Sequence, residues 1–404
     1  MAAAHRPAPA LLPAAARTGP PPRRHRGARL LAPAVAVLTT VLLPVPGVAA
    51  VRGISPGVAA VGASPGVASV GHGSPAAAGG TGSRAVTGHE LIAGPGDDLT
   101  RLLDQLQPGD VLKLRPGTYR VGYLRPYGLH PGTASAPVTV TALDPVNRPL
   151  LQGYVRLVGA DYWRLSSVRV QATIAGAPAL DMDAGTGWAI SDAEFFGARQ
   201  TGAYANVVIS STFGAPSGFA FSGNCVHDAG VKHLWQDHNI YVNFHGTPAS
   251  GGTIERNLIF NHTSGAGIKL GDGGAPRAPG PWNVTVRFNT IVNGGTQIRM
   301  FGDVRNNRIV GNLLALSSMT FSSRGRSMGM TVENVVGAGN QVAGIYVYGA
   351  SVALWDPSRV VANRGDVAVR PNPRLTGAWT CTGWRPLYPP AVAYGRYGTG
   401  IFPL

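Results

Sequence analysis

The chain repeats one short rhythm seven times, and this repetition limits the folds open to it more than any single residue does. Stretches 162–170, 187–196, 218–226, 252–260, 283–292, 303–310 and 329–336 each carry an apolar strand, a polar step and a short aliphatic run that usually opens with Asn. At 252–260, Ile254 anchors the strand, Glu255 and Arg256 make the step, and Asn257 precedes Leu258, Ile259 and Phe260. A unit this small cannot bury its apolar face alone, so each copy needs another stacked on it. The expected fold is a solenoid of strands.

A second series supports the stacking. Segments that start at Val155, Leu180, Val207, Ile240, Ile268 and Ile298 follow the order apolar, variable, apolar and begin 25, 27, 33, 28 and 30 residues apart. Alternation of period two belongs to a strand with one buried face. The flanking residues then point inward. The middle ones form an outward column of Arg156, Asp181, Val208, Tyr241, Lys269 and Arg299, roughly 4.8 Å from coil to coil. Asn224, Asn257, Asn289 and Asn307 each follow an anchor position, taken as Phe221, Ile254, Val286 and Val304, by three residues. Stacked Asn side chains at a tight turn bond one another and local backbone, and Asn tolerates the left-handed conformation. That column is expected to be structural rather than catalytic.

Length over-counts domains in a repeat array, and the 404 residues are expected to hold one folded domain behind a leader. The formal charge of +15 is unevenly spread: residues 1–84 carry eight Arg and no acidic residue, leaving 26 basic against 19 acidic residues after them. Such a surplus fits an anionic polysaccharide and gives little ground for a nucleic-acid partner. Arg23, Arg24, Arg26 and Arg29 precede an apolar stretch from Leu30 to Leu43, and small residues follow at Val48, Ala49 and Ala50. This is the pattern of a signal peptide over 1–50, so a secreted protein is expected, extracellular or in the cell envelope. The apolar stretch is too short for stable membrane insertion and contains Pro33. Gly, Ala, Ser and Pro dominate 51–88, which is expected to be a disordered linker.

The domain 89–404 is expected to comprise regular coils over about 111–336 and an irregular C-terminal cap over 337–404, in which Trp379, Trp384 and Tyr388 pack. At its start Asp98 can cap a short helix whose Leu99, Leu102, Leu103 and Leu106 form one stripe and close the apolar end of the array. Export would permit Cys225 and Cys381 to pair, yet nothing in the sequence brings them within reach. Cys225 occupies the aliphatic slot of a repeat, where a small buried hydrophobe is the plainer expectation. A monomer is expected.

Residues 109–120, running from Gly109 and Asp110 through Pro116, Gly117 and Tyr119, resemble the opening coil of the right-handed parallel β-helix proteins of the pectin-lyase-like superfamily. Asn257 to Asn261, with Gly265 to Leu270, resembles the internal repeat of that group; 372–375 with 389–395 is similar to its closing segment. The resemblance covers about residues 89–395. It implies an all-β, single-stranded right-handed parallel β-helix with a short N-terminal capping helix. It implies no one activity, because the superfamily holds lyases, hydrolases, epimerases, adhesins and non-catalytic members.

The candidate chemistry lies on the outward column. Lys269 is one of three Lys in the chain, and Tyr241, Lys269 and Arg299 fall on successive coils. Asp237, His238 and Asn239 stand just before the strand that carries Tyr241, Asn243 and His245 follow it, and Lys232 and His233 lie in the connection ahead of it. Cleaving a uronate polymer by β-elimination requires that the carboxylate be neutralised, that a base take the C5 proton, and that an acid assist the departing oxygen. Arg299 and Lys269 would hold the carboxylate, since Arg can grip it at two points. His238 or Lys269 would be the base and Tyr241 the acid, with Asp237 beside them; His233, Asn239, Asn243 and His245 would bind substrate. No cofactor is firmly implied. Ca2+ is possible, and His227 with Asp228, Asp237 with His238, and Asp272 could contribute to a metal site, but no recognised ligand spacing is present. Paired carboxylates of a hydrolase are missing from the central coils. The expected function is therefore a secreted polysaccharide lyase; the alternatives are a non-catalytic glycan-binding or cell-envelope β-helix and a uronan C5-epimerase.

Overall fold

A computed structural model describes residues 88–230, 237–271, 279–317, 320–321, 326–335, 337–343, 345–348, 351–354, 360–362, 367–370 and 380–381. All of them fall in the second of two compact units, Gly80–Leu404. The leader and all but the last residue of the linker lie outside the described residues. So do Lys232, His233, Asp272, the closing-segment residues 372–375 and 389–395, Trp379, Trp384 and Tyr388.

The strands form three parallel ladders around one apolar core. An 11-stranded sheet runs from Glu90–Ala93 and Val111–Leu114 through Ser217–Ser222, Gly251–Glu255 and Val284–Arg287 to Val360–Ala362. A second ladder contains Arg169–Ala172, Glu194–Phe196 and Cys225–Ala229, and a third contains Leu180–Asp183, Ala205–Ser210 and His238–Asn243. Strands Leu258–Leu270 and Thr290–Arg305 turn the corner between these two, which joins them as one 17-stranded sheet. This is a single-chain parallel β-helix, as the repeat requires. The expected short helix is present at Leu99–Gln105, and the Asp98 side chain accepts the Arg101 N–H at 3.1 Å. Its Leu99 and Leu103, with Leu106 after it, are buried in the core, and Leu102 packs partly buried against it. No helix among the described residues is long and apolar enough to cross a membrane.

The apolar, variable, apolar segments behave as their period demands. Leu180, Met182, Val207, Ile209, Ile240, Val242, Ile268, Leu270, Ile298 and Met300 are all buried. Two copies of the seven-fold rhythm fall elsewhere. Val286 pairs with Ile309, so Arg308–Val310 is the first-sheet strand of its coil, five residues from the anchor expected at Val304. Met330 pairs with Ile298, which puts the copy at 329–336 on the third ladder. Rungs also continue past 336: Val310 pairs with Ala343, Leu314 with Val347 and Val347 with Val369. The regular array therefore extends into the part expected to be an irregular cap.

This register corrects the Asn column. Asn224 N–H donates to Asn257 Oδ1 (2.9 Å), Asn257 N–H to Asn289 Oδ1 (3.0 Å), and Asn289 N–H to Asn312 Oδ1 (3.0 Å). The fourth member is Asn312, three residues after Ile309. Asn307 starts a separate column, its N–H donating to Asn340 Oδ1 at 3.1 Å. Each Nδ2 reaches a carbonyl of another coil, Asn257 to Phe221 O (3.1 Å), Asn289 to Ile254 O (3.0 Å) and Asn312 to Val286 O (2.9 Å). The left-handed conformation sits not on the Asn but on the residue before it, with φ of 65° at Gly223, 56° at Arg256, 61° at Phe288 and 63° at Gly311. The corner costs roughly 1–2 kcal/mol at a non-Gly residue, and the Asn side chains offset it by satisfying backbone groups that the corner removes from the ladder.

Cys225 and Cys381 form a disulfide, with Cα atoms 5.8 Å apart. Cys225 is indeed buried, but the plain hydrophobe reading of it gives way to a covalent tie across 156 residues of sequence. The Asn column supplies a test of register. Asn312→Ala strands the Asn289 N–H and the Val286 carbonyl, and a buried unpaired polar group costs about 1–3 kcal/mol. Asn312→Ala and Asn257→Ala should each lower stability by about 3 kcal/mol in urea unfolding, whereas the exposed Arg308→Ala should change it by less than about 0.5 kcal/mol. Equal, small losses for Asn312→Ala and Arg308→Ala would overturn the assigned register.

Candidate functional site

Strand pairing delivers the outward column. Arg156 pairs with Asp181, Asp181 with Val208, Val208 with Tyr241, Tyr241 with Lys269, and Lys269 with Arg299. Side chains at one position of parallel in-register strands stand over one another. Tyr241, Lys269 and Arg299 therefore come together from three successive coils. They do not stand in open solvent, for Lys269 and Arg299 are each 4% exposed. Lys269 Nζ lies 4.8 Å from the centre of the Tyr241 ring, and the Arg299 guanidinium 5.6 Å from that of Phe301. Both cations are held against the negative faces of aromatic rings.

The residues ahead of Tyr241 divide. His238 is buried, its ring 5.3 Å from that of Tyr241. Its Nδ1 accepts the Ala266 N–H at 2.9 Å, so the ring proton is on Nε2. Burial, and then the Lys269 and Arg299 charges and His262, hold it well below the usual imidazole range. A neutral ring with its lone pair already engaged is a donor and a strut. Asp237 is buried as well, and its backbone meets Gly265 so closely that a Cβ there would lie 1.6 Å from the Asp237 carbonyl oxygen.

Asn239 does not face substrate. Its Oδ1 accepts from Asn206 Nδ2 at 2.8 Å, and its Nδ2 donates to Phe260 O at 2.8 Å, in the interior. His262 continues that internal column, with Nδ1 3.5 Å from Asn239 Nδ2 and Nε2 donating to Thr296 O at 3.2 Å. Burial pulls its pKa down to about 4. Gly294 is required beside it, since a Cβ there would stand 2.2 Å from the ring. Asn239 was expected to bind substrate because it stands just before the strand that carries Tyr241; the structure turns it inward.

Asn243 and His245 line a groove of about 610 Å³ that starts at Tyr241 and runs to the Arg156 end of the column. His245 is exposed and Asn243 half-buried. At the far end Arg156 sits between two carboxylates, with Nη2 2.5 Å from Asp183 and Nε 3.4 Å from Asp181. Tyr154 donates to Asp181 Oδ2 at 3.0 Å and Ser210 Oγ to Oδ1 at 2.8 Å. Burial pushes Asp181 up, against the hydrogen bonds and Arg156 that pull it down. Spacing placed Arg156 and Asp181 on one column; Asp183 and Tyr154 were missed because they stand two residues along those strands, and Tyr204 because it precedes the next strand, Ala205–Ser210.

A second polar cluster lies on the second ladder. His227 is bridged by Asp228 (Nδ1 to Oδ2, 2.8 Å) and Glu194 (Nε2 to Oε1, 3.1 Å), and its ring stacks on Phe196 and Phe260. Burial opposes its charge, but the hydrogen bonds that its ring donates to both carboxylates raise its pKa. The only signal for it in the sequence was the adjacent His227 and Asp228. Cys225, His227 and Cys381 hold donor atoms within 4.8 Å of one another, the one such grouping among the described residues. With both sulfurs in the disulfide, it is not a set for Ca2+, which takes six to eight oxygens. Asp181 and Asp183 do not fit Ca2+ either, because Arg156 already occupies the space between them.

No protein-family model and no curated protein matches the chain. Among solved structures it is similar to pectate lyase Pel9A, at 15% identity and a TM-score of 0.46 over 69% of this chain and 81% of that one. It is also similar to the PL6 family alginate lyase AlyGC, at 16% identity and a TM-score of 0.38 over 66% and 39% of the two chains. A mannuronic acid specific polysaccharide family 6 lyase from human gut microbiota aligns at 15% identity and a TM-score of 0.37 over 69% and 83%. Likeness at this level carries no argument about chemistry.

The buried neutral His262 makes the domain sensitive to acid. A base whose folded pKa is depressed contributes stability above its unfolded value, near 6.5, and that stability is lost as pH falls toward the folded value of about 4. The loss between those limits amounts to about 3 kcal/mol at this site. Imidazole resonances should show His262 uncharged down to about pH 4, and His262→Gln should flatten the dependence of unfolding free energy on pH over this window. A His262 resonance that titrates near 6.5 would contradict the assignment.

Proposed function

We propose that the protein is a polysaccharide lyase that cleaves an acidic, uronate-containing glycan by β-elimination. The observation that carries this reading is the in-register trio of Tyr241, Lys269 and Arg299, of which Tyr241 lines an open groove. Arg299 grips and neutralises the uronate carboxylate, which acidifies the C5 proton. Lys269, on the adjacent rung, takes that proton in its neutral amine form, having given up its own proton before the substrate binds. Tyr241, one rung further, donates to the departing glycosidic oxygen, while His238 holds the strand entry through Ala266 and lends no proton acceptor. Asn243 and His245 contact sugar further along the groove. His233 is kept as a substrate-binding candidate on sequence grounds alone. The Arg-rich, apolar leader supports export, as does the Cys225–Cys381 disulfide, since such bonds persist in oxidising compartments.

One observation favours a second reading, a non-catalytic glycan-binding β-helix: Lys269 and Arg299 are both only 4% exposed. A C5-epimerase would share the proton abstraction and return the proton to the opposite face.

The deciding experiment incubates the protein with pectate, alginate, chondroitin and hyaluronan and follows the absorbance of the unsaturated product. Lys269→Ala should lower kcat by at least about 100-fold, the scale of a lost general base. Arg299→Lys should lower kcat/KM by roughly tenfold or more, because an ammonium cannot replace two-point recognition. Glycan binding without product selects the binding module; exchange of solvent hydrogen into C5 without chain cleavage selects the epimerase. Activity that survives Lys269→Ala would remove Lys269 as base.

A further inference from the structure

The second ladder carries a donor set that the proposed lyase chemistry does not use. Cys225 and His227 stand two residues apart on the strand Cys225–Ala229, on either side of the core residue Val226. Alternate residues of a strand share a face, so both side chains point away from the core and line a groove of about 890 Å³. Cys381 reaches the same groove from 156 residues further along the chain. One ligand atom from each of the three lies within 4.8 Å of the other two. The imidazole is also fixed in place. Its ring is stacked between those of Phe196 and Phe260, with centres 5.3 and 4.8 Å away, and each nitrogen meets a carboxylate, Nδ1 that of Asp228 and Nε2 that of Glu194.

We infer that Cys225, Cys381 and His227 bind a divalent cation of the zinc class when the disulfide is reduced, so that metal and disulfide are alternative ties at one place. Two thiolates and an imidazole favour a borderline-soft ion such as Zn2+ over Ca2+ or Mg2+, which take oxygen. The donors of a tetrahedral zinc ion stand roughly 3.5–3.8 Å apart, given bonds of about 2.3 Å to sulfur and about 2.0–2.1 Å to nitrogen. That spacing falls inside the 4.8 Å that already encloses the three atoms. The cysteine Cα atoms, 5.8 Å apart, leave the sulfurs free to part to this distance by side-chain rotation once their bond is cut. In the exchange a dithiol gives two electrons and two protons to the disulfide and closes to its own cyclic disulfide, leaving two cysteine thiols. The cation then displaces both thiol protons, and any proton on the coordinating nitrogen, as the metal–sulfur and metal–nitrogen bonds form. One imidazole nitrogen thus exchanges its carboxylate for the metal. The other keeps its carboxylate, the outer partner typical of metal-bound histidine. Water from the groove takes the fourth position.

Cobalt, whose thiolate complexes absorb strongly, reads such a site directly. The protein is reduced with a phosphine, which does not chelate the metal as a dithiol would, freed of reagent without air, and titrated with Co2+ and then Zn2+. Reduced protein should take up a single Co2+ per chain with a thiolate-to-cobalt charge-transfer band, and Zn2+ should displace it in the same ratio. Oxidised protein should show no such band. His227→Gln should weaken cobalt binding by more than the roughly 10–100-fold that a lost outer partner costs. Cys381→Ser alters no described strand and should remove most of the band, which covers the case in which His227→Gln fails to fold. Zinc should also raise the urea midpoint of the reduced protein and leave that of the oxidised protein unmoved. Reduced protein that fails to bind cobalt in a one-to-one ratio, whether because Cys381 leaves the ladder or because the coils unfold, would overturn the inference. A band of undiminished strength and affinity in His227→Gln, or equal binding by the oxidised protein, would do the same.

Discussion

Parallel pairing of each coil with the next is the constraint on which the rest of this structure depends. It fixes every side chain to a column, so that a residue's neighbours along the axis are set by its place in the coil and not by its sequence distance. Inside, that rule stacks aliphatic residues with little room for error and also stacks polar ones. Asn224, Asn257, Asn289 and Asn312 form a continuous line of amide bonds because each stands at the same corner. The line solves a backbone problem: a left-handed residue at each corner removes N–H and C=O groups from the ladders, and the next residue's amide recovers them. Buried amides are tolerated here because each is satisfied by its neighbours.

On the outside the same rule sorts charge. Arg156, Asp181, Tyr241, Lys269 and Arg299 occupy one column although 143 residues separate the first from the last. Their order along the axis is their order along the chain. A solenoid can therefore encode a pattern of charge along a linear ligand by substituting one residue per coil, and the burial of Lys269 and Arg299 gives that end a drier, stronger field than surface cations would have.

Much of this was legible in the sequence, and the failures have physical causes. Apolar, variable, apolar segments at coil-length spacing identified the third ladder, because a strand with one wet face leaves a period of two. The middle residues then named Tyr241, Lys269 and Arg299. The Asn column slipped at its fourth member because 303–310 offers aliphatic residues at both Val304 and Ile309, and only pairing with Val286 decides between them. His238 shares the parity of the inward Ile240 and is buried with it, whereas Asn239 has the parity of Tyr241 and is turned inward at the start of the strand. Glu194, His227 and Asp228 gather from two coils and leave no motif, and the partner of Cys225 lies 156 residues away.

Three histidines show how far position governs chemistry in such an array. His262 and His238 are enclosed and uncharged, held down first by burial. His227, on the second ladder between Glu194 and Asp228, is raised by those carboxylates despite its burial. The linkage signs are opposite. The raised His227 contributes stability below about pH 6.5 that is lost as pH climbs through its folded value, while the two depressed rings contribute above about 6.5 and lose it on acidification. Position in the array thus sets the sign of each ring's coupling to pH.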